Sequence, residues 1–249
     1  MQLRHVPKID VKYWCALILA SVFGANTGDF FADVLNLGHL SGLPVLAALF
    51  ALAVFIEKFD MTSHVIYFWF AIMVVRTAAT NLGDISHDLR LNAPWVIATL
   101  SVILSATILI WQRIYLANRK TNPGQSNRIL VTNTTYWFSM LLAGTLGTVI
   151  GDYFSFGLQL RPLKAAYVLG TVLLIAFVLL RKRLSRENIN IFYYWLTVVL
   201  IRSAGTAAGD FLAFQLKLPL STLLSGLAFI AVLMIWKPSS LPESVVLSR

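Results

Sequence analysis

Eight apolar stretches separated by short polar breaks run through the 249 residues: 13–35, 42–56, 64–83, 93–111, 134–157, 165–181, 190–213 and 219–236. A helix that crosses a bilayer needs about 20 apolar residues, with a usual range of about 17–25. Stretch 42–56 falls short and is expected to extend by a few residues at one end. The breaks carry helix stoppers at Gly42–Pro44, Asn92–Pro94 and Lys217–Pro219, and the longest, 112–133, holds Asn122-Pro123-Gly124 and splits the chain into halves. The pattern predicts an all-α integral membrane protein of about eight transmembrane helices. The N-terminus (1–12) leads into a single transmembrane domain (13–236), and a Pro/Ser-rich tail (237–249) is expected to be disordered.

The odd stretches repeat one another. Aligned on Trp14, Trp69, Trp137 and Trp195, each has an aspartate fifteen residues later: Asp29, Asp84, Asp152 and Asp210. A glycine precedes every one (Gly28, Gly83, Gly151, Gly209), and a leucine follows eight residues on, except that Leu91 stands at seven. The chain is thus four tandem two-helix units, 13–57, 64–112, 134–182 and 190–236, and internal repetition of this kind decides the architecture before any other feature. Two spans per unit bring every unit into the membrane the same way up, so the units are expected to be related by an axis along the membrane normal. The first stretch follows Arg4, Lys8 and Lys12 as a signal peptide would. Its length, its Gly28-Asp29 and its equivalence to three internal helices make it a structural span instead.

Composition narrows the class further. Hydrophobic residues make up 58% of the chain and charged residues 12%, against about 25% charged in a soluble domain; the mean hydropathy is +0.75. The formal charge of +9 does not indicate nucleic acid, because the basic residues cluster between apolar stretches instead of lining one face. The N-terminus, the breaks that follow even stretches and the C-terminus hold fourteen (Arg4, Lys8, Lys12, Lys58, Arg113, Arg119, Lys120, Arg128, Arg181, Lys182, Arg183, Arg186, Lys237, Arg249), whereas the opposite breaks hold four (Arg90, Arg161, Lys164, Lys217). Positive charge stays on the cytoplasmic side, so both termini are expected there. The four repeat tryptophans are then expected to be anchors at the cytoplasmic interface, with Trp111 and Trp236 in agreement. The single cysteine, Cys15, leaves no disulfide or cysteine metal cluster to consider.

The chemistry lies in an intramembrane polar stripe. Arg76, Thr80 and Asp84, like Arg202, Thr206 and Asp210, are four residues apart and share a helix face. Unit three keeps Thr148 and Asp152 with Gly144 in the arginine position; unit one keeps Asp29 with Ser21 there, and Ala25, Asn26 and Thr27 between. Beside the stripes run the small-residue pairs Gly24/Gly28, Gly147/Gly151 and Gly205/Gly209, which allow close helix approach. The odd helices are therefore expected at the centre and the even ones outside. Each aspartate is about 22 Å along the helix from its tryptophan, in the outer part of a hydrocarbon core, where an ionisable group is costly without protein, water or a partner. Two arginines as internal counter-ions against four aspartates leave net acid, and Asp33 and Asp88 one turn out add to it. Burial favours a neutral carboxyl and a nearby guanidinium the ionised one, so the arginine-free Asp29 and Asp152 are the better candidates to exchange protons.

Asp84, His87 and Asp88 share a face and have donor types that suit a divalent metal, although a solvated helix end accounts for them as well. His5, His39 and His64 stand alone, and Phe30, Tyr153 and Phe211 after the aspartates read as packing groups. There is no phosphate loop, nucleophile elbow or HExxH, so neither an enzyme nor a cofactor is expected. The W…GD units resemble a bacterial family of multispanning membrane proteins built from four tandem two-span repeats, described only as a repeat of unknown function or as "membrane-anchored". The resemblance covers about residues 13–236. It implies a bacterial inner-membrane location, with the bilayer as the surrounding partner, and carries no activity. The stripe itself points to a small secondary transporter or channel-like protein for a cation, with proton coupling as one form of it. The alternative is a structural or interaction protein whose Asp–Arg network only holds the helices together.

Overall fold

The computed structural model describes residues 6–59, 65–121, 132–184 and 191–235, and the side-chain surroundings of all of these except 118–121 and 180–184. Among the described residues there are eight α-helices and no strands: α1 Val11–Asp29, α2 Leu43–Phe59, α3 Ile66–Asp88, α4 Ala93–Thr121, α5 Thr134–Asp152, α6 Arg161–Leu184, α7 Ile191–Leu216 and α8 Leu218–Ile235. Expectations on Arg4, His5, Met61, His64, Asn122-Pro123-Gly124, Gln125, Arg128, Ser185, Arg186, Trp236 and the tail from Lys237 lie outside the described residues.

Local chemistry sets several helix ends. Asp10 and Asn133, four residues before a repeat tryptophan, cap α1 and α5: their Oδ1 atoms accept from the backbone N–H of Tyr13 and Tyr136, each at 2.9 Å. Each odd helix ends at a non-glycine residue in the left-handed region, Asn36, Arg90, Gln159 or Lys217, the usual reversal after a helix C-terminus. This residue directly precedes the repeat leucine, and it comes one position early in unit two, which explains why Leu91 is out of step. Three boundaries differ from expectation by four residues or more. Helix α3 continues past Gly83 to Asp88. Helix α4 continues past Trp111 to Thr121, so much of the supposed 112–133 linker is helical. Helix α6 begins at Arg161, where Pro162 suits a first helical turn.

The helices form two rings. Helices α1, α3, α5 and α7 close an inner ring in which each packs on the next and α7 packs on α1. Each even helix lies outside against the odd helix of the following unit: α2 on α3, α4 on α5, α6 on α7, and α8 back on α1. Among the described residues, six helices are long and apolar enough to cross a membrane. Within their apolar windows 56–67% of residues are buried for α1, α3 and α7, against 11–22% for α4, α6 and α8. The two that fall outside this group are α2, which has only 17 residues, and α5, which carries Thr134, Thr135, Ser139, Thr145 and Thr148 on the inner ring.

Glycine makes the inner ring tight, and it does so cyclically. A Cβ on Gly28 would lie 2.9 Å from Thr80, on Gly83 2.6 Å from Thr148, on Gly151 2.7 Å from Thr206 and on Gly209 2.7 Å from Asn26. Each Gly of a Gly-Asp pair therefore receives the next helix at or beside the position one turn before its aspartate. One turn earlier the sizes compensate: Gly24 faces Arg76, Gly147 faces Arg202, Gly205 faces Ser21, and where the second unit has Ala79 its neighbour has Gly144. The small-xxx-small ridge thus works between consecutive units around the whole ring.

The repeat tryptophans correct one expectation. Trp14, Trp69, Trp137 and Trp195 are all buried, so they face protein and do not act as displayed interface anchors. Each packs on the aromatic residue that precedes the tryptophan of the unit before it. The centroid distances are 5.5 Å for Trp69–Tyr13, 5.9 Å for Trp137–Phe68, 5.7 Å for Trp195–Tyr136 and 5.7 Å for Trp14–Tyr194. Trp111 is also buried and meets Trp195 edge to face. Eight rings contributed by two adjacent positions bury more apolar area here than an exposed belt would.

Candidate functional site

Positions four apart on the odd helices stack into five layers along the centre of the inner ring, separated by about 6 Å of helix rise. The first is aromatic, Tyr13, Phe68, Tyr136 and Tyr194. The second is an apolar collar of Leu17, Ile72, Met140 and Val198. The third is mixed, Ser21, Arg76, Gly144 and Arg202; the fourth is Ala25, Thr80, Thr148 and Thr206; the fifth is the four aspartates. The first four layers are buried throughout. Tyr194 Oη lies 2.7 Å from Tyr13 Oη and 3.1 Å from Tyr136 Oη, which ties three of the four units together at the first layer.

Above the threonines the ring opens into a cavity of about 920 Å³ lined by Asp29, Asp84, Asp152 and Asp210 together with Ala25, Thr80, Thr148 and Thr206. The sequence therefore placed all four aspartates and all three stripe threonines in one site. Oδ2 of Asp84 and of Asp210 is buried without a hydrogen-bond partner. Immediately after Asp29 and Asp152, the two aspartates of the arginine-free units, the helix widens into a π turn, Phe30–Val34 and Tyr153–Gly157. The helices of the arginine-bearing units stay α-helical through the same point. Single π turns inside α-helices are frequent at functional sites.

Neither arginine pairs directly with an aspartate among the described residues. Arg76 is completely buried. Its Nη1 donates to Thr80 Oγ1 and Thr148 Oγ1, each at 2.8 Å, its Nη2 to Thr206 Oγ1 at 2.6 Å and its Nε to the Ser21 carbonyl at 3.3 Å. One guanidinium is therefore held by all four units, directly under the carboxylates. Arg202, equally buried, points the other way. Its Nη2 approaches Met140 Sδ at 3.5 Å, and its Nε and Nη1 have no hydrogen-bond partner among the described residues. Helices α3 and α7 stand opposite each other in the inner ring, so the two cations enter the same layer from opposite walls. At about 6 Å and an effective ε of about 20, two like charges repel by roughly 3 kcal/mol. One turning up and the other down relieves that repulsion.

The weak metal constellation does not assemble. Asp84, His87 and Asp88 all line the cavity, but no group of three metal-type side chains is placed to hold a metal ion among the described residues. His39, read as isolated, approaches this face instead: its Nδ1 is 3.6 Å from Asp84 Oδ2 and its Nε2 4.0 Å from Asp88 Oδ2. Nothing in the sequence near His39 announces this, because the contact joins the α1–α2 connection to α3. Phe211, expected only to pack, lines the cavity, and so do Phe156, Phe214 and Arg161. The position four residues after each aspartate thus reads Asp33, Asp88, Phe156 and Phe214, and all four line the mouth. A comparison of that single repeat column would have revealed the pattern.

A family model described as "Repeat of Unknown Function (DUF347)" matches residues 12–59, 135–183 and 193–240, which correspond to units one, three and four. The second unit carries the same Trp69 and Gly83-Asp84 but lies outside these matches. No curated protein and no solved structure matches the chain.

Proposed function

The chain belongs to the family of the Repeat of Unknown Function (DUF347), and from that premise we propose that it is a multi-pass membrane protein that binds and moves a cation through the acidic cavity of its inner ring. The observation that carries this reading is the cavity itself: four aspartates from four units line it, while the buried arginine beneath them is engaged by threonine hydroxyls. A purely structural Asp–Arg lattice would pair these charges directly. Exposed apolar side chains such as Phe55, Val102, Leu174 and Met234 on the outer helices suit a lipid environment, with all eight helices inserted and the units arranged about the membrane normal.

In this reading the structure is a state open on one side. The aspartates form the entry site. Arg76, the apolar collar and the joined tyrosines close the path below them, and transport requires that plug to rearrange. Asp29 and Asp152, each followed by a π turn, carry the exchangeable protons. Flux from proteoliposomes of the purified protein, screened across protons and metal and organic cations, tests the proposal. Asp29→Asn and Asp152→Asn abolish flux in a protein that still folds. Absence of flux for every cation, with the aspartate and arginine variants all reducing stability alike, rejects transport in favour of a scaffold.

In this reading the basic-residue bias supports cytoplasmic termini and a cavity mouth on the opposite side, and the family resemblance supports a bacterial inner membrane. Reporter fusions after Met61, Gln125 and Ser185 then read cytoplasmic, and those near Gly38 and Arg161 periplasmic. A periplasmic signal at Gln125 overturns this orientation.

A further inference from the structure

The mouth of the cavity is divided by unit. Units one and two contribute Asp33 and Asp88 at the position where units three and four contribute Phe156 and Phe214. One wall therefore adds two carboxylates and the facing wall two phenyl rings beside Arg161, above a shared floor of four aspartates. A hard divalent ion such as Mg²⁺ or Ca²⁺ takes about six or more oxygen ligands at roughly 2.0–2.6 Å and gains nothing from phenyl rings. Here no group of three metal-type side chains is placed to hold a metal ion among the described residues. The volume, about 920 Å³, lies within the range of small-molecule sites, about 300–1,000 Å³.

Resting on the transport reading, we infer that the cargo is an organic cation, an amine or onium group with an apolar body, whose charge docks on the aspartate floor while its body lies against Phe156, Phe211 and Phe214. Asp210 supplies an independent sign of a missing partner: its Oδ2 is buried with no hydrogen bond, and its carboxyl borders the cavity beside Phe211. The protein already holds one organic cation a layer below, the Arg76 guanidinium, with oxygen ligands from all four units. Aromatic faces attract such cations even at exposed sites, and Phe156 and Phe214 are exposed; the buried carboxylates supply the charge complement.

The test is equilibrium binding of radiolabelled tetraphenylphosphonium and of benzyltrimethylammonium to the purified full chain in detergent, with Mn²⁺ and K⁺ as competitors. Saturable binding is expected, with millimolar Mn²⁺ and K⁺ leaving it in place. Asp210→Asn weakens it by about tenfold or more. Phe214→Ala, at a largely exposed side chain, weakens it by about two- to fivefold in a protein that remains monodisperse. No saturable binding of either probe, binding indifferent to both substitutions, or displacement by micromolar Mn²⁺ overturns the inference. The flux screen separates the two failures. Aspartate-dependent metal or proton flux without organic-cation binding sinks the cargo assignment alone, and no flux with no binding sinks transport as well.

Discussion

Arg76 and Arg202 occupy the same column of the repeat, eight residues before the aspartate, and both are completely buried. Their surroundings are nonetheless opposite. Arg76 reaches up into the hydroxyl layer and makes four hydrogen bonds, one to each unit. Arg202 reaches down to a methionine sulfur and leaves two nitrogens unpartnered. The difference shows that a repeat copies positions without copying environments. The layer has room for one guanidinium against the threonines, and the second must go elsewhere because like charges on one axis repel. The Arg202 guanidinium, level with Arg76 and turned into the apolar collar, is thus buried without adequate hydrogen-bond partners among the described residues.

Four experiments break or sharpen this contrast, beginning with the largest effect. Both arginines are received by a glycine of the preceding unit, Gly24 for Arg76 and Gly147 for Arg202, in contacts too close for a Cβ. Gly24→Leu and Gly147→Leu should both abolish assembly of a monodisperse protein, read by size-exclusion chromatography in detergent. If one is tolerated, the two walls are not equivalent. Next, Arg76→Met strips a shared partner from three hydroxyls and the positive charge from beneath four carboxylates. Its cost is about 3–5 kcal/mol by analogy with broken buried pairs, measured as a drop in thermal midpoint; an unchanged midpoint refutes the anchoring role.

Arg202→Met should move the midpoint in the other direction. Replacing a buried charge that lacks adequate partners with an apolar side chain of similar length is expected to stabilise by about 1–4 kcal/mol. A loss of stability as large as that of Arg76→Met would mean that Arg202 has a partner the geometry does not reveal. The smallest effect isolates the hydroxyl layer. Thr206→Val removes one acceptor for Arg76 and should cost about 1.5–3 kcal/mol in the native background, but close to nothing in the Arg76→Met background. Equal costs in the two backgrounds would show that the Thr206 hydroxyl stabilises the bundle independently of the arginine.

Periodicity alone made much of the site legible. Four identical Trp-to-Asp spacings put Asp29, Asp84, Asp152 and Asp210 at one depth, and the four-residue spacing put Thr80, Thr148 and Thr206 one turn below them. The glycines beside the stripe marked the odd helices for close packing. Helical geometry carries these inferences because it is local: residue number converts directly into height and facing. The same logic fell short for the tryptophans, since an amphipathic ring suits an interface or a core equally well and only the neighbouring unit decides between them.

What the tertiary structure alone decided is whatever depends on which unit stands beside which. The ring order sets Arg76 and Arg202 opposite each other, so only one of them can occupy the hydroxyl layer and neither is free to pair with the aspartates. The loop from α1 to α2 brings His39 to Asp84 and Asp88, residues more than forty positions away. The column Asp33, Asp88, Phe156 and Phe214 is readable in the chain, but it becomes an acidic wall facing an aromatic one only when four helices close around a common space. Contacts between units arise from packing and charge balance among distant segments, and these are properties of the assembled ring and not of any single helix.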